Sequence, residues 1–326
     1  MPTSVLLPNL GRDIPTEFAR RVEAYGYDTL WTGELWGMDA FVLLTHLAEH
    51  TDDLGLGTAI VNAFSRSPAA LAQAAVSLDR VSDGRFRLGV GTSTEKAIDD
   101  LHGVPFERPV RRLHETVELT RAFMDGTGRV TYEGELFQVA DFPALDHPVP
   151  VYSAALGPAS RRATGRVSDG WMPHMLPFEE LPEAFETVAE TARERGRDPD
   201  DLVVAPYVPS AVSDDPDEAR AAIRGHVAYY VGSGAGYRRT VGRTFPDAAE
   251  RVADAWRAGD RGEARAAVTD EMVDTLGVAG TPETARERFR AVKEVSVVDE
   301  PIVVVPNGSS EELTERTVAE LAPDAS

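Results

Sequence analysis

Residues 54–91 read LGLGTAIVNAFSRSPAALAQAAVSLDRVSDGRFRLGVG, and this stretch holds one complete strand–helix–strand unit. Leu54–Val61 and Arg85–Gly91 are short apolar runs with the length and composition of buried parallel strands. The intervening segment predicts a helix from Pro68, since proline is favoured at the first helical position, to Val81. A strand, a helix and a second strand in this order predict a parallel sheet.

The same alternation continues on both sides of this unit. Further strands are predicted at Ser4–Leu7, Thr29–Thr32, Pro150–Ala154, Gly170–Met172, Leu202–Val208 and Ile302–Val305. The intervening helices are predicted at Pro15–Tyr25, Ala40–His50, Pro109–Met124, Pro158–Val167, Glu180–Arg195 and Thr281–Lys293. Eight strands close a (β/α)8 TIM barrel. The alternative, a doubly wound sheet, usually carries a G-x-G-x-x-G turn after its first strand, where this chain has Pro8–Asn9–Leu10–Gly11.

Two regions depart from the alternation and are predicted to be insertions. Thr131–Tyr132 and Leu136–Val139 indicate a small hairpin before strand five. After strand seven, helices are predicted at Asp215–Tyr230, Asp247–Ala258 and Arg261–Leu276, with Gly232–Gly236 as a flexible loop, and Ser309 with Glu312 as a capping box for the last helix. The expected fold is therefore one α/β domain over residues 1–326, a (β/α)8 barrel with a hairpin insertion and helical insertions.

Composition limits the classes of function. The net charge is -21 and cysteine is absent. An acidic surface of this kind repels nucleic acid and anionic lipid, and a chain without cysteine has neither disulfides nor thiolate metal sites. No signal peptide and no apolar stretch of membrane-spanning length is evident in the sequence. We therefore expect a cytoplasmic protein that acts on a small molecule and assembles as a homodimer or homotetramer.

The basic residues are almost all arginine, since lysine occurs only at Lys96 and Lys293. An excess of acid with little lysine resembles proteins adapted to high internal salt, where screening shortens to roughly 3 Å at 1 M. A GC-rich genome also favours arginine, but it does not explain the excess of acidic residues. We therefore favour the halophilic interpretation.

In a (β/α)8 barrel the chemistry takes place at the carboxyl ends of the strands. In this chain those ends are Pro8–Asn9, Gly33–Trp36, Ala59–Asn62, Gly91–Glu95, Ala154–Gly157, Pro173–Met175, Pro209–Ser210 and Pro306–Asn307. Topology alone therefore predicts a site where these eight segments meet.

Three of these regions carry a family resemblance. Residues 57–68 (GTAIVNAFSRSP), 82–91 (SDGRFRLGVG) and 150–158 (PVYSAALGP) resemble the luciferase-like, deazaflavin-dependent oxidoreductases. Glu95–Lys96–Ala97 and Val278–Pro282 are similar to segments of the methylenetetrahydromethanopterin reductase branch. The resemblance implies coenzyme F420 as the cofactor, with FMN as the alternative, and a non-prolyl cis peptide between Ala59 and Ile60 beneath the cofactor ring.

The resemblance also implies which residues bind the cofactor: Ala59, Ile60, Asn62, Gly91, Thr92, Ser93, Ala155, Gly157, Pro158 and Ser160. Gly157–Ser160 opens a helix, whose free N–H groups and positive dipole end favour an anion. Arg161 and Arg162 follow, either to meet the acidic cofactor tail or as solvated helix charges. No metal is expected.

Two acidic residues at strand ends, Glu34 and Glu95, are the candidate general acids, and burial near a ring would raise a carboxyl pKa toward the useful range. Strand-end acids also cap the following helix. Glu95 is favoured because the segment around it carries the resemblance. Glu34–Leu35 stands where many relatives carry Asp-His, which keeps open a flavin-binding paralogue without catalysis.

One sequence pattern matches a metal-binding motif but is predicted to lie away from the site. His46-Leu-Ala-Glu49-His50 matches the inverzincin sequence H-x-x-E-H. The apolar stripe of the predicted helix contains Phe41, Leu44 and Leu47, so the three polar residues should face outward, away from the barrel mouth.

These observations predict an F420-dependent oxidoreductase that transfers hydride between the deazaflavin C5 and a small organic substrate, possibly a methylene-tetrahydropterin or methylene-tetrahydrofolate. An FMN-dependent luciferase-like monooxygenase is the alternative within the same fold. In either case the protein positions the cofactor and the cofactor carries the chemistry.

The charge of -21 leads to a prediction about salt. Self-repulsion should destabilise the fold at low ionic strength, because screening is then weak. The Tm measured against KCl is expected to rise toward molar salt. A flat or falling curve would leave only the GC-bias explanation for the composition.

Overall fold

The computed structural model describes residues 1–8, 14–35 and 37–323, and the structural statements below concern these residues. Its strands are β1 (Ser4–Leu6), β2 (Thr29–Thr32), β3 (Gly55–Thr58), β4 (Val61–Asn62), β5 (Phe86–Gly91), β6 (Arg129–Glu133), β7 (Gln138–Pro143), β8 (Val151–Ser153), β9 (Gly170–Trp171), β10 (Val203–Val204), β11 (Tyr207–Val212), β12 (Val278–Gly280) and β13 (Ile302–Val304).

The helices alternate with these strands. They are α1 (Thr16–Ala24), α2 (Ala40–Ala48), α3 (Pro68–Val81), α4 (Pro109–Asp125), α5 (Pro158–Val167), α6 (Leu181–Glu194), α7 (Pro216–Ser233), α8 (Ala235–Thr244), α9 (Pro246–Arg257), α10 (Arg261–Ala266), α11 (Asp270–Leu276), α12 (Pro282–Lys293) and α13 (Glu311–Glu320). Ser67 caps α3 by accepting from the Ala70 N–H, and Pro68 occupies the first turn, as the sequence predicts.

The parallel strands close into a ring. β1, β2, β3, β5, β8 and β9 pair in this order, and β13 pairs with β1. The segment that closes the ring runs from β10, which pairs with β9, into β11, which pairs with β13. Between them the Ala205 N–H donates to the Trp171 carbonyl and the Tyr207 N–H to the Pro173 carbonyl, both at 2.9 Å. The prediction of a (β/α)8 barrel is therefore confirmed.

Both predicted insertions are present. β6 and β7 form an antiparallel hairpin between α4 and β8, and the helices α7 to α11 follow β11. β6 extends beyond the predicted Thr131–Tyr132 at both ends, whereas β7 begins at Gln138, so Leu136 and Phe137 of the predicted Leu136–Val139 lie in the turn. The carboxylate of Glu115, in α4, accepts hydrogen bonds from the backbone N–H groups of three residues in the turn, Glu135, Leu136 and Phe137. These bonds hold the hairpin against the helix layer.

The prediction of a flexible loop at Gly232–Gly236 is wrong. α7 continues through Gly232 to Ser233, and α8 begins at Ala235. Gly232 is a packing residue, because a Cβ atom there would lie 2.3 Å from Cγ of Trp256 in α9. Gly232 therefore allows close contact between α7 and α9.

Three further boundaries differ from the sequence interpretation. Strand seven extends beyond the predicted Leu202–Val208, because β11 continues to Val212. The end of β11 pairs with β12, a strand that was not predicted from the sequence. The predicted helix Arg261–Leu276 is two helices, since Thr269 caps α11 through the Met272 N–H. Ser310, rather than Ser309, caps α13, and its hydroxyl accepts from the Leu313 N–H.

The barrel interior is filled with side chains. Its buried cluster comprises Trp31, Ala59, Tyr152, Met172, Ala205, Tyr207, Ile302 and Val304. Room for this cluster depends on Gly89, where a Cβ atom would lie 1.9 Å from the Thr58 carbonyl oxygen. The Thr58 hydroxyl donates to the Gly89 carbonyl at 2.9 Å and accepts from the Gly89 N–H at 2.8 Å, which ties β3 to β5.

An ion pair crosses the amino-terminal end of the barrel. Glu300 is buried just before β13, and one of its oxygens accepts from the Ser4 hydroxyl of β1 at 2.5 Å. The other oxygen lies 2.5 Å from Nη1 of Arg87 in β5. Burial opposes the charge on Arg87, but Glu300, together with Tyr152 and Asp28, outweighs it, and the pKa of the guanidinium is raised.

Candidate active site

The carboxyl ends of neighbouring strands converge at one end of the barrel, the mouth. Ile60, Gly91 and Ala154 meet there: a Cβ atom at position 91 would lie 2.9 Å from Cγ1 of Ile60 and 3.4 Å from Cβ of Ala154. The missing side chain of Gly91 thus makes room for Ile60. The peptide bond between Ala59 and Ile60 is cis, as predicted. Asn9 and Trp36, also predicted at strand ends, lie outside the described residues.

Glu34 is held by three donors. Its carboxylate makes a bidentate pair with Arg66, at 2.5 and 2.9 Å, and accepts from the Ala40 N–H at the start of α2 at 3.0 Å. Asp39, the cap of α2, pairs with the same guanidinium. The hydrogen bonds to Glu34 raise the pKa of Arg66. Both Glu34 oxygens are therefore engaged as acceptors, an arrangement suited to anchoring the loop after β2.

Asn62 is buried at the end of β4 with its whole amide in use. Its Oδ1 accepts from the N–H groups of Phe64 and Ser65, at 2.9 and 2.7 Å. Its Nδ2 lies 3.2 Å from Nε2 of His102. In this arrangement Asn62 shapes the segment that follows the strand.

The segment after β5 is more open. Thr92 and Ser93 are half-buried, and Ser93 has a left-handed backbone with φ of 59°. Glu95 is exposed at the start of the following helical turn, and no hydrogen bond or ion pair joins its carboxylate to another described residue. Of the two candidate acids, Glu95 is therefore the one with free oxygens.

The segment after β8 divides between the barrel and the helix layer. Ala154 packs against the barrel interior, whereas Ala155 packs with Trp171 in the outer layer, and its carbonyl accepts from the indole N–H at 2.8 Å. Gly157 caps α5, with Pro158 in its first turn, and the Ser160 hydroxyl donates to the Gly157 carbonyl at 2.9 Å. The first N–H groups of such a helix point outward without helical partners.

Arg161, one turn into α5, is the most unusual charge near the mouth. It is 4% exposed, its Nε is buried without a hydrogen-bond partner, and no described carboxylate forms an ion pair with it. Its guanidinium lies 5.7 Å from the ring of Trp171. Burial, and then the positive charge of Arg243, lower the pKa of Arg161. Because buried charges are normally paired, this site favours a bound anion.

A cavity lies beside this guanidinium. It has a volume of about 210 Å³ and is lined by residues of α5, α6 and α8, including Pro158, Arg161, Thr187 and Arg243. Glu180 and Glu183 also line it, and their negative charges act against the lowering of the Arg161 pKa without forming an ion pair with the guanidinium. The start of α5, an unpaired arginine and a cavity thus lie together next to the mouth.

The sequence analysis missed an aromatic cluster at the mouth. His174, three residues after the end of β9, is buried against Tyr207 of β11, His226 and Tyr230 of α7, and Tyr237 of α8. The only sequence signal was the position of His174 at a strand end. Three of its partners, His226, Tyr230 and Tyr237, come from a helical insertion, and no repeating sequence pattern links those positions to the strand before His174.

His46, Glu49 and His50 lie on the outer side of α2. The two imidazoles are stacked at 4.2 Å, the His46 Nε2 lies 3.1 Å from the Thr16 hydroxyl, and the His50 Nδ1 lies 2.7 Å from the His46 carbonyl. In the described ranges, no three His, Asp or Glu side chains are grouped as metal ligands. Across the same ranges, no helix has the length and apolarity to cross a membrane.

Comparisons with known proteins agree with this architecture. A 5,10-methylenetetrahydromethanopterin reductase of Methanolobus tindarius is 30% identical over 286 residues, with 86% of each chain covered. A protein of Mycobacterium tuberculosis assigned as a coenzyme F420-dependent oxidoreductase is 28% identical over 329 residues, with 91% of each chain covered.

Among solved structures, the coenzyme F420-dependent tetrahydromethanopterin reductase from Methanopyrus kandleri superimposes with a TM-score of 0.83 at 23% identity. The superposition covers 99% of this chain and 98% of that one, and it bears on the fold alone. The family model of luciferase-like monooxygenases matches residues 15–299. The chain therefore belongs to the luciferase-like monooxygenase family.

Proposed function

We propose that this protein is a coenzyme F420-dependent oxidoreductase that transfers hydride to or from a small organic substrate at the barrel mouth. The observation that carries the proposal is Arg161 beside the mouth, a residue that is 4% exposed, whose Nε is buried without a hydrogen-bond partner and which forms no ion pair with a described carboxylate. A flat cofactor with an acidic tail supplies the anion that this charge lacks. The sequence relatives support the deazaflavin, since they include a methylenetetrahydromethanopterin reductase and an assigned F420-dependent oxidoreductase.

The residues at the mouth fit such a cofactor. Ile60, Gly91 and Ala154 form a surface without polar side chains, suited to one face of a ring. Gly157 and Ser160 at the start of α5, together with Arg161, would hold the acidic end, because helix N-termini and arginine both favour anions. When bound, the deazaflavin supplies a hydride carrier at C5, and it does not activate oxygen.

The proton chemistry is assigned to Glu95. Glu34 has both oxygens engaged by Arg66 and the Ala40 N–H, so donating a proton there would break a bidentate pair. Glu95 has no such contacts and stands at a strand end of the mouth. We propose Glu95 as the general acid at a substrate nitrogen and Glu34 as the anchor of Arg66. A methylene-tetrahydropterin or methylene-tetrahydrofolate is the proposed substrate.

The cofactor assignment is tested by binding and by oxygen consumption. Purified protein should bind F420 more tightly than FMN, and reduced cofactor should not be consumed in an oxygen-dependent way. The measurements are fluorescence titrations with each cofactor and an oxygen electrode. Tight FMN binding with oxygen uptake would assign the protein to the monooxygenase alternative, and F420 binding without turnover of any acceptor would support the non-catalytic one.

Arg161→Met keeps the long apolar stem and removes the charge. If Arg161 holds the acidic tail, Kd for F420 should weaken by about 10–150-fold, the value of a hydrogen bond to a charged group. A deazaflavin without the acidic tail should bind both proteins equally. The Tm should not fall, because the variant removes a buried unpaired charge.

Arg162→Met is the matched control, since the next residue of the helix is exposed. It should leave both Kd and Tm nearly unchanged. If Arg161→Met lowers the Tm and leaves the affinity for F420 intact, Arg161 is a structural residue.

Glu95→Gln keeps the size of the side chain and removes the acid. If Glu95 donates the proton, kcat should fall by roughly 10²–10⁴ with the F420 Kd nearly unchanged. The assay follows oxidation of reduced F420 with methylene-tetrahydromethanopterin or methylene-tetrahydrofolate. Glu34→Gln should instead lower the Tm, because it leaves Arg66 without its bidentate partner. An unchanged kcat in Glu95→Gln would exclude this residue as the acid.

A further inference from the structure

The aromatic cluster at the mouth has a histidine at its centre. The ring centroid of His174 lies 5.0 Å from that of Tyr207, 4.4 Å from that of Tyr230 and 5.6 Å from that of Tyr237. The fourth ring, His226, lies at 5.2 Å. Four aromatic rings from three separate elements therefore enclose one imidazole.

The two histidines are joined by their Nε2 atoms, which lie 3.1 Å apart. Such a hydrogen bond requires an N–H on one ring and a lone pair on the other. Burial lowers the pKa of His226 to about 3, and burial and then His226 lower the pKa of His174. Both imidazoles are therefore neutral at pH 7, and they carry their protons on opposite ring nitrogens.

The surroundings of the pair are aromatic and without charge. No hydrogen bond or ion pair connects either imidazole to a carboxylate or guanidinium in the part of the chain that the structure describes. Burial raises the pKa of the surrounding phenols, in the case of Tyr237 to about 12. A hydrogen-bond donor in such surroundings is stronger than one in water.

The cluster stands next to the proposed cofactor site. The Met172 N–H bonds to the Ser153 carbonyl, and the Tyr207 N–H bonds to the Pro173 carbonyl, so His174 follows the last bonds that join the segment after β9 to its neighbours on both sides. α8 approaches the loop after β8, since a Cβ atom at Gly236 would lie 3.6 Å from Cδ1 of Leu156. His174 therefore occupies the part of the mouth between β8, β9 and β11.

We propose that His174 donates a hydrogen bond from Nδ1 to an uncharged polar atom of the substrate, and that His226 is the positioning residue that fixes this tautomer. The proposal rests on the proposed function, which places the substrate at the mouth. Because Nε2 of His174 is occupied by His226, Nδ1 is its one nitrogen left for a ligand. When His226 donates through Nε2, the proton of His174 must be on Nδ1.

This arrangement selects a class of substrate. A neutral donor among phenol and imidazole rings suits a carbonyl oxygen or an imine-type nitrogen, and it offers nothing to a carboxylate or phosphate that needs a counter-charge. As electron density reaches the neighbouring carbon, the heteroatom becomes more negative and the hydrogen bond strengthens. The contact therefore stabilises the transition state more than the bound substrate.

The tautomers are measured directly by NMR. Long-range ¹H–¹⁵N spectra of ¹⁵N-histidine protein, assigned with His174→Phe and His226→Phe, should show His174 protonated at Nδ1 and His226 protonated at Nε2 at pH 7. The reverse tautomers, or an imidazolium at either position, would overturn the proposal. This measurement needs neither cofactor nor substrate.

Kinetics test the contact with the substrate. His174→Phe should lower kcat by about 10²–10³-fold, as expected for loss of one donor to a developing charge, and leave the F420 Kd unchanged. His226→Phe should lower kcat by about 10–100-fold, the range for groups that orient a functional histidine. His226→Gln, whose amide can donate to the same nitrogen, should recover most of this loss. A purely packing role would make Gln worse than Phe.

Two comparisons separate positioning from stability. The double variant His174→Phe/His226→Phe should be no slower than His174→Phe alone, because His226 acts through His174. His50→Phe, in the stacked pair outside the barrel, is the matched control and should leave kcat unchanged. Additive losses that follow the Tm would overturn the proposal.

Failure of the proposed function can be distinguished from failure of the role proposed for His174. If the wild type binds no F420 or turns over no acceptor, that function is wrong, and the tautomers still decide the state of the histidine pair. If F420 binds and turns over while His174→Phe retains full kcat, the function stands and the role of His174 is wrong.

Discussion

A buried ion pair at the amino-terminal end of the barrel fixes the arrangement on which the mouth depends. Arg87 and Ser4 belong to strands that are not neighbours, and Glu300 joins them across the interior. Removing the charge of Arg87 would leave the buried Glu300 carboxylate without its counter-charge, which is strongly destabilising. Glu300 joins the segments of Ser4 and Arg87 at the amino-terminal end of the barrel, and hydrogen bonds between Thr58 and Gly89 join β3 to β5 further along. These bonds fix the register in which the carboxyl ends of the strands reach the mouth.

The mouth built on this base has two halves of different chemistry. On one side Ile60, Gly91 and Ala154 form an apolar surface beside the start of α5 and its unpaired arginine. On the other side the rings around His174 form a polar but uncharged wall. The first half fits a flat cofactor with an acidic end, and the second fits a neutral substrate. A hydride transfer between two bound molecules requires surfaces of both kinds at close range.

The sequence predicted the features that depend on residues close together in the chain. The strand–helix alternation predicted the barrel, and Ser67 with Pro68 predicted the start of α3, because each depends on neighbours a few residues away. It could not predict that Gly232 packs on Trp256, since two helices must first be placed side by side. For the same reason it missed β12, which pairs only with an extension of β11, and the His174–His226 contact between residues 52 positions apart.

The two halves of the mouth come from different parts of the chain, so they can diverge separately over evolution. The half with Ile60, Gly91 and Ala154 comes from the strand ends of the repeating units, which also hold the ring together. His226, Tyr230 and Tyr237 come from α7 and α8, an insertion that follows strand seven and packs mainly on itself. Replacing that insertion would change the wall around His174 while leaving the pairing of β1, β2, β3, β5, β8 and β9 in place. The wall around His174 is therefore free to diverge over evolution while the apolar surface of Ile60, Gly91 and Ala154 stays the same.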